Sequence, residues 1–170
     1  YNRMCNEAPS YYMWRILDQD REPLRMNLAE LAGVPHDELA MCRNATEALN
    51  TIIFGLPLKA GDEVVGSTYD YPNMYNAWRQ RAQRDGVRLV YADPQLPSED
   101  EAAMVEAFTR KFTARTKLVH ITHIINWNGQ ILPVRKIADA AHAQGIEVLV
   151  DAAHSFGLLD YSITDLGCDY

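Results

Sequence analysis

The sequence predicts an α/β fold: a three-layer sandwich in which helices cover both faces of a mainly parallel central sheet. Three observations predict it. Strand-like and helix-like segments alternate along the chain. The strand segments EVVGS, VRLVYAD, KLVHITHII and IEVLVD are apolar almost throughout instead of alternating apolar with polar, so both of their faces are covered. The segments between them are long enough for the crossover helix that a parallel pair requires.

Taken in order, the first element is a helix. From Tyr11 to Leu31 the residues Met13, Ile16, Leu17, Leu24, Leu28 and Leu31 fall on one helical face. Pro23 marks either a kink or the first turn of a second helix, and Gly33 and Pro35 end the segment. LAMCR (39–43) is a short strand candidate. NATEALNTIIFGL (44–56) is a helix with Asn44 as its cap and Glu47 at capping-box spacing. A turn at KAGD leads into a strand at 63–67. PNMYNAWRQRAQRDG (72–86) is a helix stopped by glycine, and 87–93 is a strand. Ser98 and Glu101 cap a helix running to about Phe112. After a strand at 117–125, Pro133 opens a helix that turns Val134, Ile137, Ala138 and Ala141 inward and closes at Gly145. The last strand is 146–151. No repeat, low-complexity tract or linker interrupts the series, so residues 1–170 read as one domain.

Composition narrows the function classes. The 170 residues are 48% hydrophobic and 23% charged, ordinary for a globular chain with one core. Sixteen Lys and Arg against 23 Asp and Glu give a net charge of −7, which argues against nucleic acid or an acidic membrane as partner. Cys5, Cys42 and Cys168 are scattered, with no C-x-x-C, which suits neither a disulfide framework nor a metal site and points to the reducing cytoplasm. No apolar run approaches the ~20 residues of a membrane helix. The chain starts at Tyr1, without Met, and stops mid-pattern at GCDY. It therefore reads as a piece of a longer protein, and an upstream targeting segment stays open.

In an open parallel α/β sheet, ligands bind beyond the carboxyl ends of the strands. Four strand ends carry polar or aromatic groups: Asn44-Ala45-Thr46, Thr68-Tyr69-Asp70-Tyr71, Asn126-Trp127-Asn128-Gly129, and Asp151 with His154. Asn44 and Thr46 open a helix whose free N–H groups suit a phosphate; the plainer reading is a simple cap. Tyr71 is able to lie flat on a planar ligand or to be an ordinary half-buried tyrosine. Asn126 reads either as a hydrogen-bond partner for a ligand oxygen or as a turn asparagine. His120 and His123 read as core histidines, with His123 the better placed to support a site. Asp151 ends a buried strand, and no Lys or Arg lies near it in sequence. A carboxylate there is costly to desolvate without a partner. Either it caps the following turn, or a ligand nitrogen that carries a proton meets it.

The motifs CRNATEALN, DYPNMYNAW, THIINWNGQILPV and VLVDAAHSFG, in this order and spacing over most of residues 39–157, resemble the large domain of class V aminotransferase-type enzymes. These are pyridoxal 5'-phosphate (PLP) enzymes of fold type I, and the group includes cysteine desulfurases, kynureninases and isopenicillin N epimerase-like proteins. The resemblance implies that Ala45 and Thr46 meet the cofactor phosphate and that Tyr71 stacks on its ring. It places Asp151 at the ring nitrogen, and Asn126 and His154 near the phenolic oxygen. Asp151 and His154 are its catalytic candidates. It implies an enzyme that acts on an amino acid or amine through an external aldimine, as an aminotransferase, epimerase or lyase, and that works as a homodimer.

Relatives of the desulfurase type carry histidine at the stacking position and glutamine where His154 stands, so Tyr71 and His154 lean toward the epimerase-like branch. The resemblance also implies a Schiff-base lysine on the loop after the next strand, past Tyr170, and a small C-terminal domain beyond that. The lysines within the sequence are Lys59, Lys111, Lys117 and Lys136, none at the implied place, so this piece alone is expected to be inactive. Two alternatives accompany this reading. One is sulfur transfer of the cysteine desulfurase type, for which neither Cys42 nor Cys168 is well placed. The other is a non-catalytic α/β module that binds a phosphorylated small molecule.

Overall fold

The computed structural model describes residues 2–170. The chain packs as two compact units, the first ending at Met41 and the second spanning Cys42–Tyr170, where the sequence reads as one domain.

The first unit is helical: α1 (Asn2–Glu7), α2 (Pro9–Tyr12), a π-helical turn (Met13–Leu17), α3 (Asp18–Ala32) and a short 3-10 turn (His36–Glu38). Gly33 ends α3 in the left-handed region at φ 70°, which only glycine adopts freely. Pro23 lies inside α3, past its first turn. The single apolar face expected from Met13 to Leu31 does not form. Met13, Leu24 and Leu31 are exposed, while Tyr12, Ala29 and Ala32 are buried. The π turn, through its i→i+5 bonding, shifts Met13–Leu17 out of phase with α3. Within α3 the packed face is the one that carries Ala29 and Ala32, not the one that carries Leu24 and Leu31.

LAMCR is not a strand. Leu39 is extended (φ −103°, ψ 120°), but no ladder forms, and Ala40 to Arg43 are exposed. The Leu39 carbonyl accepts from Arg25 Nη1 at 3.2 Å instead of from a neighbouring strand. A strand-like run with no partner has no reason to persist as one.

The second unit carries the predicted sandwich. Its elements are α4 (Ala45–Gly55), β1 (Glu63–Ser67), α5 (Pro72–Asp85), β2 (Arg88–Ala92), α6 (Glu101–Thr109), β3 (Thr116–Thr122), α7 (Val134–His142), β4 (Glu147–Asp151) and a 3-10 turn (Ile163–Leu166). The four strands pair in the order β2-β1-β3-β4, all parallel. Successive strand residues feed opposite cores. Val64, Leu118 and Leu149 pack with Leu49, Ile53, Met74 and Trp78 of α4 and α5. Val65, Val119, Ile121, Val148 and Val150 pack with Met104, Phe108, Ile137, Ala138 and Ala141 of α6 and α7. Two faces buried in this way explain why the strands are continuously apolar.

The caps differ in detail from the sequence reading. Asn44 Oδ1 accepts from Glu47 N at 2.9 Å, as expected. The Glu47 carboxylate does not close the box onto Asn44; it takes the amide of Arg43 at 2.8 Å and the Arg43 guanidinium. Helix α6 is capped by Asp100, whose Oδ1 accepts from Ala103 N, and not by Ser98. Ser98 Oγ accepts from Asp100 N one step earlier, fixing the cap in place.

Candidate active site

The strand order creates a crevice. From β1 the chain crosses through α5 to β2 on one side; from β3 it crosses through α7 to β4 on the other. The carboxyl ends of β1 and β3 therefore flank a switch point, where parallel α/β sheets bind ligands. The amino end of α4 faces the same rim.

A cavity of about 270 Å³ lies there, lined by Asn44, Ala45, Thr46, Leu49, Tyr71, Thr122, Asn126, Asp151, Ala153 and His154. All six residues singled out as binding candidates, Ala45, Thr46, Tyr71, Asn126, Asp151 and His154, share this one wall. The sequence reading did not single out Thr122, Leu49 or Ala153. Leu49 is the next inward turn of α4, and Thr122 stands beside Asp151 only because β3 and β4 pair in that register.

Each wall has a local cause. With Asn44 taking the Glu47 amide, the N–H groups of Ala45 and Thr46 are left without intrahelical acceptors at the positive end of the helix dipole. Tyr71 is the N-cap residue of α5, and Pro72 at N1 fixes the chain direction there. Its ring stays exposed at the cavity mouth. The loop after β3 closes on itself: Gly129, at φ 73°, donates to the Ile125 carbonyl at 2.9 Å, and Ile125 donates to Gln130 O at 3.0 Å. This tight return carries Asn126 to the rim. Among the described residues neither Asn126 nor His154 has a side-chain hydrogen-bond partner, and both are exposed.

Asp151 is buried, at 6% exposure. Its Oδ1 accepts from Ala153 N at 3.0 Å, so it does cap the following turn. That leaves one carboxylate oxygen with no partner and no cation within ion-pair distance among the described residues. The sheet treats its other buried carboxylate at the amino edge quite differently. Glu63 receives Arg115 at 2.8 Å, Arg88 at 3.8 Å and the Thr113 hydroxyl at 2.5 Å. The Thr113 hydroxyl and then Arg115 hold its carboxyl below the usual range. The free oxygen of Asp151 is open to the cavity, where a donor on a ligand can reach it.

His120, on β3, and His123, just past its end, are core residues. His120 is fully buried, and its Nδ1 accepts from Trp78 Nε1 at 2.8 Å. Burial pushes its pKa down to about 4, against the pull of Asp151, so the ring is neutral. His123 is buried edge-on to Tyr161, with centroids 5.2 Å apart, and burial lowers its pKa as well. Neither lines the cavity.

The cavity thus offers two free amides at a helix start, a flat ring at its mouth and a carboxylate with one free oxygen in its wall. Those groups complement a flat molecule with an anion at one end and a protonated nitrogen at the other. A sequence model of the family described as aminotransferase class-V matches residues 14–170.

The chain belongs to the aminotransferase class-V family.

It is 35% identical over 147 residues to isopenicillin N epimerase from Streptomyces clavuligerus, covering 86% of this chain and 37% of that protein. It is 34% identical over 136 residues to a probable cysteine desulfurase from Synechocystis sp., covering 78% of this chain and 32% of that protein. The fold matches a cystine C–S lyase solved in complex with cysteine persulfide, with TM-score 0.84 and 23% identity over 99% of this chain and 45% of that one. It also matches a cysteine desulfurase from Thermococcus onnurineus NA1, with TM-score 0.76 and 25% identity over 87% of this chain and 36% of that one. The chain spans less than half the length of these class-V relatives. Both epimerase and desulfurase names occur among them, and desulfurases recur in both the sequence and the structural matches. The lean toward the epimerase branch drawn from Tyr71 and His154 therefore gains no decisive support.

None of Lys59, Lys111, Lys117 or Lys136 lines the cavity. Lys117 lies near the amino end of β3, at the opposite edge of the sheet. Lys136 lies on α7, where it pairs with Glu101.

Proposed function

We propose that this chain is part of the PLP-binding large domain of a class-V enzyme, and that the cavity holds PLP. The observation that carries this reading is the half-satisfied Asp151 sharing one wall with the open amides of α4. When bound, PLP supplies an electron sink that stabilises negative charge developing at the substrate α-carbon. The residues divide the work of holding it. The Ala45 and Thr46 amides, with the Thr46 hydroxyl, take the phosphate at the helix start. Tyr71 covers one ring face and excludes water there. Asp151 holds a proton on the ring nitrogen, and the Ala153 amide fixes the carboxylate that does so. Asn126 and His154 orient the ring from the oxygen side.

For the whole protein we propose carbon–sulfur chemistry on a cysteine-type amino acid. Support comes from the recurrence of desulfurases and a C–S lyase among the matches. Epimerisation is the second reading, favoured by the 35% identity to an isopenicillin N epimerase. The full-length protein, supplied with PLP, separates them. Sulfide or persulfide release from cysteine or cystine supports the first. Inversion of an amino acid α-carbon with no sulfur release supports the second. No visible absorbance band from bound cofactor overturns both.

A further inference from the structure

We propose that Asp70 is a positioning residue for this site: it clamps the exit of β1 to the exit of β3 and sets the direction in which the Thr122 hydroxyl bonds at the cavity wall. This rests on the reading of the cavity as a cofactor site.

Asp70 does not line the cavity. It is buried behind it, in the turn after β1. Its Oδ2 accepts from Ser67 N at 2.7 Å, and its Oδ1 accepts from Thr122 Oγ1 at 2.8 Å. Room for the carboxyl comes from Gly66: a Cβ there would stand 3.0 Å from Asp70 Oδ2. A glycine inside a buried strand weakens it, and close packing of this acid explains its presence. Thr122 is the last residue of β3, lies in register with Asp151, and lines the cavity.

A hydroxyl has one proton to give. While Thr122 donates it to Asp70, the threonine oxygen is able only to accept from a ligand. With Asp151 beside it, that state favours a ligand nitrogen bearing a proton. A protonated Asp70 instead offers its own O–H to Thr122, and the threonine proton is released toward the cavity. Burial pushes the Asp70 carboxyl up to about 7, against the bonds from Ser67 and Thr122 and with the Asp151 charge adding to the rise. Both states are therefore populated near neutrality. The other ionisable groups facing Asp70 are Tyr75 of α5 and Tyr91 of β2, which share a small void with it beneath Gly66. Asp151 of β4 lies beyond Thr122, and neutral His120 lies two residues back on β3. No cation pairs with Asp70 among the described residues.

The test uses the full-length protein and PLP itself, with equilibrium binding measured between about pH 6 and about pH 8.5. Wild type is expected to show a step in affinity centred near neutrality. Asp70→Asn places its amide N–H₂ toward Thr122 and fixes the low-pH polarity. It should bind about tenfold more weakly than wild type at the alkaline end and show no step. Thr122→Val should lose the step as well, and Thr122→Ser should restore it. A step retained in either Asp70→Asn or Thr122→Val overturns the proposal. A second readout needs no cofactor and no variant of Asp70: the carboxyl carbon resonance of Asp70 should titrate near neutrality and move on Thr122→Val. Titration in the ordinary carboxylate range, or indifference to Thr122→Val, overturns it. If wild type takes up no PLP, the cofactor reading fails and the carboxyl titration alone decides the clamp.

Discussion

Asp151 and Glu63 are buried carboxylates on one sheet, and the protein satisfies them in opposite ways. Glu63 is closed in by arginines and a threonine; Asp151 keeps an oxygen open toward a cavity. Their neutral variants should therefore behave oppositely. Glu63→Gln should destabilise the protein by about 1–3 kcal/mol, because one acceptor oxygen becomes an N–H₂ donor and the arginines lose the charge they pair with. Asp151→Asn should leave the ligand-free protein as stable as wild type or more so, yet lower turnover of the full-length enzyme roughly hundredfold or more. Denaturant unfolding and a turnover assay check the pair. A destabilised Asp151→Asn would mean that the acid serves the fold. Asp70 makes a separate prediction through pH. Its folded pKa is raised from 3.8 to about 7, so between those values the native state keeps a proton that the unfolded chain has released. Stability from this group is present at low pH and lost as pH rises through that window. His120 works the other way. Its folded pKa is lowered to about 4, so the unfolded chain gains a proton below 6.5 that the native ring refuses. Comparing Asp70→Asn with wild type removes the His120 contribution. The variant should gain on wild type by up to about 3 kcal/mol between pH 5 and pH 8. A difference that stays flat with pH would show that Asp70 does not titrate there.

Among the elements, α4 connects packing to the site. Leu49 and Ile53 anchor it on the sheet through Val64, Leu118 and Leu149, while its first turn supplies the free amides. Asn44 decides which amides those are, by taking the third. Asn44→Ala should cost about 1 kcal/mol in unfolding free energy and weaken phosphate-end binding, because the first turn frays. Loss of stability with unchanged PLP affinity would separate the cap from the site. This helix and its cap were legible in the sequence because the signal is local: N-A-T-E followed by an apolar stripe. The elements misread in the sequence fail for equally specific reasons. The π turn at Met13–Leu17 shifts helical phase without changing composition, so no periodicity count across it detects the break. LAMCR is a short, mostly apolar run that periodicity alone cannot assign, and it has no neighbour to pair with. Ser98 and Asp100 both suit a cap, and only the hydrogen bonds show that one positions the other.

For the molecule as a whole, the parallel sandwich was legible from strands that are apolar on both faces, and the rim followed from the rule that ligands sit beyond strand ends. The six candidate residues came from that rim and from a family resemblance. What stayed hidden is pairwise and long-range. Thr122 donates to Asp70 across 52 positions of sequence, and Trp78 donates to His120 across 42. Only the adjacency of β1 and β3, and of α5 with β3, brings those pairs together. The central claim is one of convergence: helix start, tyrosine ring and aspartate serve a single ligand. The most direct test is a crystal structure of the full-length protein grown with PLP. The account predicts the phosphate on the Ala45 and Thr46 amides, the ring against Tyr71, and the ring nitrogen in hydrogen-bond contact with Asp151. A cofactor seated elsewhere, or seated here with its ring nitrogen turned away from Asp151, would contradict it.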